Sequence, residues 1–233
     1  MRVLALDTAT EACSVALFTD QGIAGRFEEV GRAHADRILG MVDAVLSKAG
    51  VRLSGLDGIA AGIGPGSFTG VRISVAVAQG LAFGAGLPVV PVSSLEALAL
   101  KAIGNGARQA LACLDARMGE VYWGCFSADA AGLLAAASPL RVGPPAEVRW
   151  PGAGNFRGIG RGFAAYPALA ALPGLERESL DGRALPDARE MARLGAVRLA
   201  AGRGIDAADL LPEYVRNKVA LTEAERAAAA AAK

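Results

Sequence analysis

Two aspartates stand at the ends of apolar runs: Asp7 after Val3-Leu4-Ala5-Leu6, and Asp115 after Leu111-Ala112-Cys113-Leu114. Paired strand-end carboxylates can hold a magnesium ion and position an attacking water or hydroxyl, which is the chemistry of nucleotide phosphotransfer. Thr8 and Thr10 add hydroxyls that could meet a phosphate, but Thr8-Ala9-Thr10 has no glycine to let a phosphate come close to the backbone. The competing reading is that each aspartate only accepts N–H bonds within its own turn.

A second chemical signal is residues 62–72, Gly-Ile-Gly-Pro-Gly-Ser-Phe-Thr-Gly-Val-Arg. Gly64, Gly66 and Gly70 allow the backbone to lie very close to something, and Thr69 is placed to cap the helix that follows. First-turn N–H groups are then free for an anion or a partner. A tight strand-to-helix turn without a ligand fits the same spacing. No Lys-Ser/Thr follows the last glycine, so this is not a Walker loop.

Other chemistry is excluded by composition. His34 is the single histidine, so no site built on two or three imidazoles can form, and no H-E-x-x-H is present. A Ser-His-Asp triad would have to run through His34, at the start of an amphipathic helix, where a histidine ordinarily caps the helix or faces solvent. Cys13, Cys113 and Cys125 are odd in number and lack C-x-x-C spacing, which predicts reduced thiols. No catalytic residue and no metal-ligand set is assigned.

The elements that must position these groups are readable from periodicity. Strands are predicted at residues 3–6, 13–18 and 23–30, then a helix over 33–49 ended by Gly50, a strand over 58–63, and a helix over 71–83. A strand over 89–92 and a helix over 94–102, capped by Ser93 or Ser94, complete the first half. Asn105-Gly106 marks a break. The second half opens like the first: a strand over 111–114 ends at Asp115, and a strand over 121–126 follows a turn at Gly119. Ala112-Cys113-Leu114-Asp115 repeats the pattern of Leu4-Ala5-Leu6-Asp7, which suggests duplication. Residues 130–151 read as irregular, the glycine cluster 158–162 as a surface turn, 187–201 as a helix, and 223–233 as an Ala-rich, weakly helical tail. This predicts lobes at 1–104 and 105–210 and a C-terminal segment at 211–233.

Small residues Gly70, Ser74, Ala78 and Ala82 recur at four-residue steps, with Ala76, Gly80 and Gly84 on a neighbouring row. Such rows let helix backbones approach closely. The 33–49 helix has an apolar arc wider than one sheet contact needs. Two readings stand: contact with a second chain through His34, Ile38, Met41, Val42, Val45, Gly70, Ser74, Ala78 and Phe83, or packing on the chain's own sheet.

The 233 residues carry a formal net charge of +1, so no bulk electrostatic grip on nucleic acid is indicated. A hydrophobic content of 53% predicts a folded protein. Residues 73–95 carry no charge but are broken by glycines, prolines and serines, and read as a buried helix, turn and strand, not a membrane span. With a strand at the very start and no signal segment, the expected location is the cytoplasm.

Together, residues 4–10, 14–17, the His34 helix, 62–73, 91–95, 115–117, 120–122 and 212–216 resemble the TsaB (YeaZ) family over most of the chain. The resemblance implies an α/β ASKHA fold, the duplicated two-lobe actin and sugar-kinase architecture with mixed sheets flanked by helices. It implies a part in threonylcarbamoyladenosine synthesis on tRNA, as partner of a catalytic TsaD-like paralogue, with a TsaE-like ATPase. tRNA would be met indirectly through that complex, and the chain would self-associate when alone. The paralogue's metal motif H-x-E-G-H aligns with Ser94-Leu95-Glu96-Ala97-Leu98, which retains only Glu96; one carboxylate does not hold a transition metal well. No cofactor is expected to be tightly bound, with ATP or ADP and magnesium confined to the level of the complex. The peptidase label sometimes given to this family finds no base–nucleophile pair here. The alternative is a standalone ATPase or kinase binding nucleotide through Asp7, Thr8, Thr10, Gly64, Gly66 and Asp115.

Overall fold

The computed structural model describes residues 1–129 and 134–216. The predicted tail over 223–233 lies outside them. The first lobe is built on β1 (Val3–Asp7), β2 (Ala12–Thr19), β3 (Gly22–Glu29), β4 (Gly58–Gly62) and β5 (Val89–Val92), in the order β3-β2-β1-β4-β5. β1 and β2 are antiparallel, with Asp7 opposite Ser14, and β1 runs parallel to β4. The second sheet uses β6 (Gln109–Arg117), β7 (Glu120–Ala128), β8 (Leu134–Ala136), β9 (Arg141–Gly143) and β10 (Arg157–Ile159). Its order is β10-β6-β7-β8, with β9 also pairing β7. β6 is antiparallel to β7 and parallel to β10. The winding β3-β2-β1-β4 is thus repeated as β8-β7-β6-β10, in keeping with the suggested duplication, although β6 runs past Asp115 to Arg117 instead of ending at the aspartate.

Alternation along β1 explains the layers. Leu4 and Leu6 point to a core shared with α1 (His34–Ala49) and α2 (Phe68–Ala85), while Val3 and Ala5 point to the opposite face, covered by α5 (Ala188–Ala200). Ala60 packs against Gly195, where a Cβ would stand 2.6 Å from the Ala60 Cβ. α5 therefore belongs to the first sheet, although it falls in the 105–210 range expected for the second lobe. Sequence order alone does not reveal that this helix returns across the molecule.

α3 (Ser94–Gly104) lies between the lobes. Its Ala97 faces the first sheet, and Leu95, Leu98 and Ala102 pack with Ala112, Leu114 and Phe126 of the second. Ser93 caps it in a capping box with Glu96. α1 ends at Gly50 in the left-handed conformation, as Gly50 predicted.

Other expectations are corrected. α2 begins at Phe68, and its cap is Ser67, whose side chain accepts from the Gly70 N–H, not Thr69. The 130–151 stretch contains β8 and β9, short pieces that pair with β7. The 158–162 cluster is no surface turn. Gly158, Gly160 and Gly162 are buried around β10 and α4 (Gly162–Ala165), and Cβ atoms at Gly160 and Gly162 would strike Cys113 of β6. By length and composition α2 is apolar enough to cross a membrane, but its buried row Gly70, Ser74, Ala78 and Ala82 packs on the first sheet and the β1–β2 turn, and a third of it is buried inside the fold.

Candidate functional site: a cleft plugged by its own glycine loop

A cleft of about 620 Å³ lies between the lobes, lined by residues of the β1–β2 turn, the start of α2 and the β6–β7 turn. Of the six residues read as nucleotide-binding, Thr10, Gly66 and Asp115 line it. Asp7, Thr8 and Gly64 are buried behind it.

The glycine loop does come very close to something, and that something is the β1–β2 turn of the same chain. A Cβ at Gly66 would collide with the carbonyl of Ala9, and one at Gly70 with the carbonyl of Thr8. Hydrogen bonds weld the two turns together. The Ser67 N–H donates to the Ala9 carbonyl (2.7 Å), the Thr8 hydroxyl to the Gly70 carbonyl (2.6 Å) and the Ser74 hydroxyl to the Leu6 carbonyl (3.3 Å). Gly64 has φ +99, needed where the loop turns between Val71 and the Glu213 carbonyl. Thr8 is not free for a phosphate there, because its hydroxyl is spent on Gly70. The Thr10 hydroxyl accepts the Ala12 N–H (3.3 Å) and keeps its own proton to donate into the cleft.

Asp7 is sealed. It is 0% exposed, and its side chain lies over Gly62, where a Cβ would strike the carboxylate. One oxygen accepts the Ala9 N–H (3.3 Å), and the other has no hydrogen-bond partner among the described residues. Burial is the main cause that raises its pKa to about 7. The N–H groups of Ala9 and Thr8 oppose the shift, and Asp187 adds to it. Asp115 is different: it faces the cleft, pairs with Arg117 (2.9 Å) and accepts from the Arg117 N–H and the Tyr166 hydroxyl (3.1 Å). Arg117 and Met118 adopt φ of +62 and +56, rare for residues with side chains, in the β6–β7 turn. The two aspartates therefore do not form a pair of ionised carboxylates facing one site. The chain's residues do not fit a magnesium nucleotide held between them.

His34 is buried, and its ring nitrogen Nε2 pairs with the Thr10 carbonyl at 2.8 Å, so it fastens the β1–β2 turn to α1. No group of three or more His, Cys, Asp or Glu side chains that could hold a metal is present among the described residues. Glu96, the one acid kept from the metal-motif alignment, accepts the Ser93 N–H (3.0 Å) and pairs with Arg198 of α5 (2.5 Å). Ser94 and Leu98 are fully buried.

The residues expected at a partner interface divide sharply. His34, Ile38, Met41, Val42, Val45, Gly70, Ser74 and Ala78 are all buried within this chain, and only Phe83 is open, at 85% exposure. The apolar stripe and the Gly70-Ser74-Ala78 row face the first sheet, because that is the surface they bury. The outward face of α2 is the neighbouring row: Ala76, Gly80, Phe83 and Gly84 are exposed, with Ile73 and Val77 half-buried beside them. On α1, Leu39 and Gly40 are exposed.

Spacing and type did not single out Glu11, Glu29, Arg117, Arg161, Arg72 or Arg216, which carry the ion pairs and ring contacts at the cleft mouth. Arg72 also has a near partner in Phe68, and Arg117 in Asp115, but the contacts that cross the cleft join residues about 100 or more apart in sequence, which leaves no local signal.

Two sheets with repeated winding, a helix between them and a cleft between the lobes define an ASKHA-type, actin and sugar-kinase-like protein. Comparison with known proteins gives the family. The "tRNA threonylcarbamoyladenosine biosynthesis protein TsaB" of Escherichia coli is 42% identical over 225 residues, covering 94% of this chain and 96% of the relative. The TsaB protein of Haemophilus influenzae is 38% identical over 231 residues, covering 94% and 95%. A crystal structure of "an uncharacterized protein with similarity to peptidase YEAZ" from Pseudomonas aeruginosa superposes with a TM-score of 0.86 at 43% identity, covering 92% of this chain and 99% of that one. The family profile described as "TsaD: tRNA N6-adenosine threonylcarbamoyltransferase" matches residues 25–138. The chain belongs to the TsaB family of tRNA threonylcarbamoyladenosine biosynthesis proteins.

Proposed function

We propose that this chain is a non-catalytic subunit of a cytoplasmic threonylcarbamoyltransferase assembly, and that it stabilises the active conformation of a TsaD-like paralogue. The observation that carries this reading is the plugged turn. Gly66 and Gly70 rest on the Ala9 and Thr8 carbonyls, so the place where a nucleotide phosphate would meet the first strand is filled by the protein. A standalone ATPase or kinase would need Asp7 ionised and facing the cleft, and Asp7 is sealed against Gly62. A nucleotide, a TsaE-like ATPase and tRNA belong in this reading to the assembled complex. The test is reconstitution with the paralogue, the ATPase, the adenylate-forming enzyme, ATP, threonine, bicarbonate and tRNA, omitting this chain alone. Modification is expected to be lost. Undiminished modification, or threonylcarbamoyl transfer by the isolated chain, would refute the reading.

The paralogue's docking surface is assigned to the outward row of α2 with Leu39 and Gly40 of α1. The same row serves self-association when the paralogue is missing. Small side chains at Ala76, Gly80 and Gly84 permit close helix approach, and Phe83 supplies an exposed aromatic anchor. Phe83→Asp and Ala76→Arg are each expected to weaken co-purification with the paralogue by about thirty-fold or more. The melting temperature of the isolated chain should be unchanged, since both sites face outward. Intact complex from both variants would move the interface elsewhere.

A further inference from the structure

We propose that residues 210–216 form a strap which, together with an ionic clasp across the cleft, latches the two lobes of the isolated chain shut. Two-lobed folds move by hinge closure between their lobes. Here the lobes share a packed side and an open side. On the packed side α3 inserts Leu95, Leu98 and Ala102 into the second lobe's core. On the open side the cleft has no such hydrocarbon filling, and the strap crosses it instead.

The strap is anchored first on lobe one. Leu210 is fully buried there, and its carbonyl accepts from the Gln79 amide of α2 (3.0 Å). The Glu213 N–H donates to the Ile63 carbonyl (2.8 Å), directly above the glycine loop. Arg72, stacked 3.7 Å over the Phe68 ring, donates to the Tyr214 hydroxyl (2.9 Å). The strap then reaches lobe two. Arg216 donates to the Ala116 carbonyl (3.0 Å), pairs with Glu120 and lies 3.6 Å from the Met118 sulfur. Its grip is on the β6–β7 turn that holds Arg117 and Met118 at positive φ, a conformation that persists only when its surroundings enforce it.

The clasp runs beside it. Arg117 of lobe two meets Glu11 of lobe one at 3.0 Å, and Arg161 meets Glu29 at 2.7 Å and Glu11 at 3.8 Å. Magnitudes rank the two devices. The Arg117 side chain is 73% exposed, so its pairing is screened and weak. The Arg216 side chain is only 16% exposed and bonded to both a carbonyl and a carboxylate, so it is the stronger fastener.

Backbone hydrogen exchange tests this on the isolated chain, independently of any paralogue. In Arg216→Ala combined with Arg161→Ala, amides of residues 66–70 and 114–118 are expected to exchange about ten-fold faster or more, while those of β1 keep their protection. Arg216→Lys, which keeps the charge and loses the planar fork, should fall between. Should the double variant fail to fold, Arg216→Lys alone is measured instead, where the cleft amides should exchange faster than in the wild type and those of β1 should not. Unchanged exchange at both cleft turns in the folded double variant overturns the latch. If that variant does not fold, unchanged exchange at both cleft turns in Arg216→Lys does so.

Discussion

Gly70→Leu is expected to cost at least about 3 kcal/mol of folding stability, because its Cβ would have to occupy the place of the Thr8 carbonyl, a backbone group that cannot move aside cheaply. The same substitution would also break the bond from the Thr8 hydroxyl to the Gly70 carbonyl. Gly80→Ala, two turns or more further along α2, makes the contrast. No atom lies within 4 Å of its added Cβ, and removing a glycine from a helix interior should stabilise by about 0.5–1 kcal/mol. Urea unfolding of the two variants decides the matter. A Gly70→Leu protein as stable as wild type would mean that the loop swings away from the first turn and the plug is not rigid. It follows that Gly70→Leu and Ala78→Arg, both buried, are poor probes of a partner interface, since loss of binding would only report loss of the fold.

Asp7→Asn is expected to stabilise the protein at pH 8 and to remove most of its pH dependence between about pH 4 and 7. The sign follows from the raised pKa. Asp7 carries its proton up to about pH 7 in the folded chain but releases it near 3.8 when unfolded, so folding is unaffected at low pH and is penalised as pH rises through this window. Above pH 7 the penalty levels off. The window from 3.8 to about 7, at about 1.4 kcal/mol for each pH unit, sets its scale at about 4 kcal/mol, and relaxation or water entry would reduce it. The neutral amide avoids this cost but leaves its own N–H₂ seeking a partner, so the net gain expected at pH 8 is about 2 kcal/mol. Chemical denaturation at pH 4.5 and pH 8 reads the difference. A variant equally destabilised at both pH values would show that the carboxylate is held ionised. That result would reopen the phosphotransfer reading, which predicts ATP turnover lost in the same variant.

Local features were legible in the sequence because their causes are local. Ser93 with Glu96 three residues on encodes the start of α3, Gly50 encodes the end of α1, and the stripe Ile38-Met41-Val42-Val45 encodes which face of α1 is buried. The same stripe does not encode what buries it. An amphipathic helix looks alike whether its partner is a sheet or another chain, and here the sheet claimed the stripe and left the outward row of α2 for others. The glycine loop was legible as a close approach but not as an approach to Thr8 and Ala9, some sixty residues earlier. β8 and β9 were missed because three-residue strands carry no readable alternation. The lobe assignment failed at α5, whose destination on β1 and β4 is a long-range choice made by Gly195 against Ala60.

The buried joint at α3 leaves no room for a metal centre at positions 94–98. Histidines placed at positions 94 and 98 would not build a chelate. Ser94 and Leu98 are wholly enclosed, Leu98 abuts Gly160 beside β10, and Glu96 now ties α3 to α5 through Arg198. Imidazoles inserted there would meet hydrocarbon and backbone instead of a solvent-accessible ion, so installing a metal at this joint would first require dismantling the packing that joins the two lobes.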